Sequence, residues 1–154
     1  MNKNRPTFYF DNDTSKEVRA GGVLFYRLNG QYEFLMINSR NNFEDFGGCT
    51  DLCDKDIIDT ICREVDEESN GVITSNFVRE SIITETPLYI KHCKYVLYIV
   101  QITADYDTKS FGNKELHDNI DRTVHWIKAD NFENNDFIKK LNFRLRMRSE
   151  EHTS

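Results

Sequence analysis

Two apolar, β-rich runs, Val23–Tyr26 and Tyr32–Ile37, flank Leu28-Asn29-Gly30-Gln31. An Asn-Gly pair between such runs is the strongest short-range hairpin signal a sequence offers, so a fold built on an antiparallel strand pair is the first constraint. The following segment, NNFEDFGGCTDLCDKD (Asn41–Asp56), has no period and concentrates Asn, Asp and Gly. It reads as a loop with close backbone turns at Gly47 and Gly48. Ile58, Ile61 and Val65 then recur at helical spacing. They predict a helix from about Lys55 to Ser69, capped by Asp54 or Asp56 and stopped at Asn70-Gly71, two residues that tolerate the left-handed conformation. Phe77–Thr84 and Tyr89–Ile102 are rich in β-branched and aromatic residues and predict two or three strands, interrupted at Pro87. Thr103–Asn119 reads as a loop, Arg122–Ile127 as a returning strand, and Asn134–Glu151 as a last helix with Phe137, Leu141 and Leu145 on one face. The order β-β-loop-α-β-β-β-α predicts an α/β fold with helices packed on a mixed sheet.

The chain has 154 residues, which suits one domain with its core over about residues 17–148. At 38% hydrophobic and 30% charged it has apolar material enough to fold. The net charge of -6 disfavours non-specific binding to nucleic acid or anionic membranes. No run approaches the ~20 apolar residues that span a bilayer, and the polar start MNKNRPTFYF lacks the apolar segment of a signal peptide. A soluble, cytoplasmic protein without a membrane partner is expected, and the sequence sets no oligomeric state. Cys49 and Cys53 have a zinc-like spacing, but Cys62 and Cys93 supply no second close pair. Free thiols are expected.

The predicted helix carries Glu64, Asp66, Glu67 and Glu68 within five positions. Glu64, Glu67 and Glu68 stand at i, i+3 and i+4 and share one face, whereas Asp66 points elsewhere. Like charges so placed repel by a few tenths of a kcal/mol per pair. Either they form a solvated acidic surface, or a hard cation such as Mg²⁺ or Mn²⁺, which prefers carboxylate and carbonyl oxygens, offsets the repulsion.

With Gly47-Gly48 upstream, the block Arg63-Glu64-Val65-Asp66-Glu67-Glu68 resembles the signature of the Nudix hydrolases. That signature runs glycine, glutamate six residues on, then after seven more residues Arg-Glu, an aliphatic residue, any residue, Glu-Glu, any residue and glycine. The chain departs from it in three places. Asp54 stands six residues after Gly48 where the family has glutamate, eight residues rather than seven separate Asp54 from Arg63, and Asn70 takes the place of the last glycine. Asp54 or Asp56 would supply the missing acid, which in the family braces the loop and the arginine. The resemblance implies a Nudix-type α/β/α sandwich with a mixed central sheet. It also implies a Mg²⁺- or Mn²⁺-dependent attack of water on a diphosphate linkage. Glu67 and Glu68 would be the main metal ligands, Glu64 a further ligand or a base acting through water, the Gly47 carbonyl another ligand, and Arg63 the residue that orients the glutamates. An acid from a later loop ahead of Trp126 is also implied, Glu115 first and Asp118 second. His117 and His125 flank that loop as surface or outer residues.

A small nucleotide-type substrate, a nucleoside di- or triphosphate derivative, fits best, with Phe10, Phe43 or Tyr9 as a platform for its base. The alternative is an mRNA cap or a dinucleoside polyphosphate, for which the basic cluster Lys139, Lys140, Arg144, Arg146 and Arg148 would form a stripe on the last helix. A catalytically silent binding module that kept the fold is the competing class, and the irregular first half of the motif is the feature in its favour. Frequent asparagine hints at an AT-rich genome such as that of a large virus or a protist.

Overall fold

The computed structural model describes residues 4–145. A short ladder of β1 (Phe8–Tyr9) with β2 (Glu17–Val18) precedes the predicted hairpin, β3 (Ala20–Asn29) and β4 (Gln31–Ser39). Gly30 turns between them at φ 73, and the strands pair from Asn29↔Gln31 to Phe25↔Leu35. Beyond that point they part. A two-residue left-handed turn at Arg40 and Asn41 feeds β5 (Asn42–Glu44), which pairs with the end of β4, and β6 (Phe46–Cys49), which pairs with the start of β3. The expectation of a loop over Asn41–Asp56 is therefore corrected for its first half. The splayed hairpin leaves two rows of backbone donors and acceptors that need partners, and these residues supply them despite poor strand propensity.

Nor are Gly47 and Gly48 turns. They lie in β6 opposite Gly22 and Gly21. What requires glycine at 47 is space, because a Cβ there would stand 2.2 Å from the Tyr95 hydroxyl and 2.5 Å from the Gly21 carbonyl oxygen.

β8 (Tyr95–Gln101) runs parallel to β3, β7 (Leu88–Ile90) edges β8, and β11 (Thr123–Lys128) edges β4, giving the order β11-β4-β3-β8-β7. The sheet is mixed, as expected. The central strands are buried on both faces by alternation. Val23, Phe25, Leu35, Ile37 and Val96 enter the core under the helices, while Leu24, Met36, Tyr95 and Leu97 enter a second core with Leu141 and Leu145. The parallel β3/β8 pair needs a crossover, and α1 (Ile57–Glu68) and α2 (Ser75–Ile82) provide it. Asp56 caps α1 by accepting the Asp59 N–H, and Asn70 (φ 55) and Gly71 (φ 77) end it as predicted.

Two expectations fail. Phe77–Thr84 is mostly helix: Thr74 caps α2, and Val78 and Ile82, four apart, are its buried residues. Asp66, off the acidic face, accepts the Ser75 N–H at 2.9 Å and so fastens α2 to α1. The predicted last helix is interrupted: α3 (Asn135–Ile138) stops because the chain unwinds to bond its backbone to β5, Phe43 N–H donating to Lys140 O and Asn142 N–H to Phe43 O, both at 2.7 Å, before residues 143–145 turn helical again. The rest of the predicted helix lies outside the described residues. Phe137, Leu141 and Leu145 still share one core. Arg144 turns inward, so the expected basic stripe is broken, and Arg146 and Arg148 lie outside the described residues.

The segment read as a loop over Thr103–Asn119 buries Phe111 and ends in β9 (Lys114–Glu115), which pairs with β10 (Ile120–Asp121). The Trp126 indole donates to Tyr106 O, under the Arg27 guanidinium. The four cysteines are free. No described helix is long and apolar enough to cross a membrane.

Candidate active site

Arg63 is the organiser of the acidic face of α1. Its Nε and Nη2 donate to Asp54 at 3.1 and 2.8 Å, Nη2 also to the Cys49 carbonyl at 3.0 Å, and Nη1 to Glu64 at 2.9 Å, with Glu67 at 3.5 Å. The two acids that the spacing left open thus have different tasks, Asp54 gripping the arginine and Asp56 capping the helix. Asp54 also accepts from Thr60 Oγ1 and the Asp51 N–H. Burial alone would raise its carboxyl, but these bonds and the Arg63 charge hold it below the usual range. The Asp54 bonds in turn keep Arg63 charged, against its own burial.

Glu64 lies directly over Gly48, where a Cβ would meet its carboxyl group at 2.4 Å. Glu68 reaches β6 and accepts the Gly47 N–H at 2.6 Å. Gly47 therefore meets the acidic face through its N–H. Burial raises the carboxyls of Glu64 and Glu67, with Arg63 opposing in both. Glu68 is pushed well above the usual range, first by burial and then by Glu44, with Asp45 and Glu64 adding to it and only the Gly47 bond of consequence opposing.

A cavity of about 370 Å³ opens where β3 and β4 diverge. Glu64 and Glu68 form one wall with Gly47, Gly48 and Cys49, Glu115, Asp118, Ile120 and Arg122 form another, and Glu44, Ile37 and Ser39 complete it. Glu115 is 5% exposed and accepts the Asp118 N–H at 2.9 Å. Glu67 does not line this cavity and instead faces His117, whose Nε2 is 3.7 Å away. Phe10 stacks on Tyr89, and Phe43 packs on Phe137 and His125. Neither lines the cavity, nor does Tyr9, the third expected platform, which is exposed on β1.

Several residues escaped the sequence reading. Asp45, fully buried, accepts from Arg144 at 2.7 Å and from the Tyr95 hydroxyl, while Arg144 covers the Tyr95 ring and Asn142 donates to Glu44. The Glu44-Asp45 pair beside Gly-Gly was a visible signal for this cluster. Nothing local pointed to Arg144, nearly a hundred positions on. Arg122, 4% exposed, donates to the carbonyls of Glu68, Phe111 and Gly112 at 2.7–2.9 Å.

Among the described residues no three His, Cys, Asp or Glu side chains form a ready metal cage. The donor chemistry nevertheless fits a hard cation: Glu64 and Glu68 supply crowded carboxylate oxygens on one wall, and burial disfavours their charge unless a cation accompanies it. Mg²⁺ is commonly held by one or two carboxylates with waters and substrate phosphates, so a closed cage is not required.

No family model matches this sequence, and no curated protein matches it. A solved structure of a Deinococcus radiodurans protein, DR0079, superposes with a TM-score of 0.56 at 12% identity, covering 92% of this chain and 88% of that one. That likeness shows a shared fold. A MutT/nudix family protein from Enterococcus faecalis gives a TM-score of 0.44 at 19% identity, over 71% of this chain and 42% of that one.

Proposed function

We propose that the protein is a Nudix-type, divalent-cation-dependent hydrolase that cleaves a diphosphate linkage in a nucleoside di- or triphosphate derivative. The observation that carries this reading is the arrangement of one helix face. Arg63 is held by Asp54 and Cys49 O and sets Glu64 over Gly48, while Glu68 is buried against the Gly47 N–H in the wall of an acidic cavity. The irregular first half of the motif favoured a silent module. Asp54 answers that objection, because a shorter acid in a loop one residue longer still grips the arginine with two bonds.

In the reaction the oxygen of water bonds to one phosphorus, the bridging P–O bond breaks, and the departing phosphate takes the bond pair. A bound Mg²⁺ or Mn²⁺, which Glu64 and Glu68 in the cavity would hold, with Glu67 reaching it only by turning from His117, would neutralise phosphate charge and lower the pKa of the attacking water. The chain's own part is to place acceptors for the proton of that water around one cavity, Glu64 and Glu68 from α1 and Glu115 from the later loop. Arg63 keeps the α1 wall rigid, so the carboxylates do not need to reorganise as charge develops.

The test is a panel of nucleoside di- and triphosphates, nucleotide sugars, dinucleoside polyphosphates and capped RNA, each with and without Mg²⁺, with Glu67→Gln and Glu68→Gln variants. Metal-dependent cleavage of a small nucleotide, lost in Glu68→Gln, is expected, and product masses from ¹⁸O water identify the phosphorus attacked. No cleavage of any diphosphate compound, or full activity in Glu68→Gln, overturns the assignment. Preference for capped RNA would replace the substrate while keeping the chemistry.

A further inference from the structure

We propose that Asn70 is a positioning residue that latches the loop bearing Glu115 to the end of α1 and so fixes Glu115 in the cavity that Glu68 also lines. The inference rests on the hydrolase reading above. A helix that ends in a left-handed residue needs only a tolerant backbone there, and glycine meets that need better than any other residue. Asn70 meets it at φ 55 and brings a side chain as well. That side chain is fully spent on one distant loop. Its Nδ2 donates to Phe111 O and to Lys114 O, both at 2.8 Å, and its Oδ1 accepts the Leu116 N–H at 3.0 Å. Two of these bonds fall on the residues either side of Glu115, so the backbone that carries the carboxylate is pinned on both flanks.

Arg122 reinforces the same junction, since its Nη2 bridges Glu68 O and Phe111 O and its Nη1 binds Gly112 O. The carbonyl it holds on the helix belongs to Glu68 itself. Two acids far apart in sequence are thereby referred to one fixed point. An exposed loop would otherwise let Glu115 wander, and a misplacement of about 1 Å is enough to cost a reaction some hundredfold.

Asn70→Gly isolates the side chain, because it keeps the helix stop and removes all three bonds. Asn70→Asp keeps the shape and the acceptor but loses both donors. Each is expected to lower kcat roughly 10- to 100-fold, the usual cost of losing a partner that orients a functional side chain. KM should stay within a few-fold, and Asn70→Gly should still melt cooperatively but at a lower temperature, because glycine's freedom at a left-handed position only partly offsets three lost bonds. Hydrogen exchange at the Leu116 amide should quicken in Asn70→Gly, a readout independent of any substrate. In a Glu115→Gln background, Asn70→Gly should lower kcat no further.

Full kcat in Asn70→Gly, or an unchanged Leu116 amide, overturns the latch while leaving the hydrolase reading intact. So does a double variant whose losses multiply. A Glu115→Gln enzyme with wild-type kcat overturns the role of Glu115 and this inference with it. A wild-type protein that cleaves nothing overturns the hydrolase reading, and the exchange experiment still reports on the loop.

Discussion

Replacing Asp54 by alanine is the sharpest probe of how the site is braced. Asp54 accepts two bonds from Arg63, one from Thr60 and one from the Asp51 N–H, and its side chain is 2% exposed. All four bonds end on a charged carboxylate and contribute about 1.5–3 kcal/mol each, a gross loss of roughly 6–12 kcal/mol. Arg63 offsets much of it, because the side chain is 22% exposed and keeps Glu64 and the Cys49 carbonyl, so water and those partners recover much of the binding. A net cost of about 3 kcal/mol follows, or a fall in melting temperature of ~6–12 °C for a chain of this size. Asp56→Ala should cost about 1 kcal/mol, the worth of an N-cap. Calorimetric melting of both variants in the same buffer measures the difference. Hydrolysis should fall with Asp54→Ala, since Glu64 loses its support, and hold in Asp56→Ala. The pH dependence adds a second check: the Asp54 carboxyl lies below its unfolded value, so its contribution is complete above about pH 4 and is lost as pH falls through the depressed folded pKa. If Asp56→Ala proves as costly as Asp54→Ala, or if Asp54→Ala leaves acid stability unchanged, the bracing argument is wrong.

Four further outcomes follow from the packing and charge around the cavity. Gly47→Ala should destabilise by about 1–3 kcal/mol in thermal melts, as overpacking does, because its new Cβ would press on the Tyr95 hydroxyl and on backbone. Glu68→Gln should lose hydrolysis yet melt higher than wild type in chelator, since it removes a buried charge and keeps an acceptor for the Gly47 N–H. The metal-free wild type should lose stability as pH rises from the ordinary glutamate value through the raised folded pKa, and Mg²⁺ should restore it on the alkaline side; melts at several pH values decide. Arg144→Met should cost about 3–5 kcal/mol by denaturant titration, because Asp45 would be left buried without its cation. Arg144→Met with Asp45→Asn should recover much of that loss.

What the sequence disclosed was local. The hairpin showed because alternation and Asn-Gly act over a dozen residues, and α1 showed because Ile58, Ile61 and Val65 share a face with a stop at Asn70-Gly71. The acids of α1 were legible for the same reason. The second helix was misread because its apolar residues come as adjacent pairs, Phe77-Val78 and Ile82-Ile83, which suit a strand until burial selects Val78 and Ile82. β5 and β6 were hidden behind Gly-Gly, since their pairing is dictated by the divergence of β3 from β4 and not by their own propensity. Spacing named two candidate braces but not which one would be buried. Arg122 could not be found, and Arg144 showed only as one of a basic stripe, because each serves a partner far away in the chain.

The parallel register that sets Ala20 beside Tyr95 has a consequence for how the molecule comes into being. Contacts so distant in sequence form late, after the cost of closing a long loop has been met. A ribosome adding roughly 5–20 residues per second completes the acidic face of α1 several seconds before it supplies the 115–122 wall and the arginine at 144. Throughout that interval the nascent chain carries Glu64, Glu67 and Glu68 without the segment that completes the cavity.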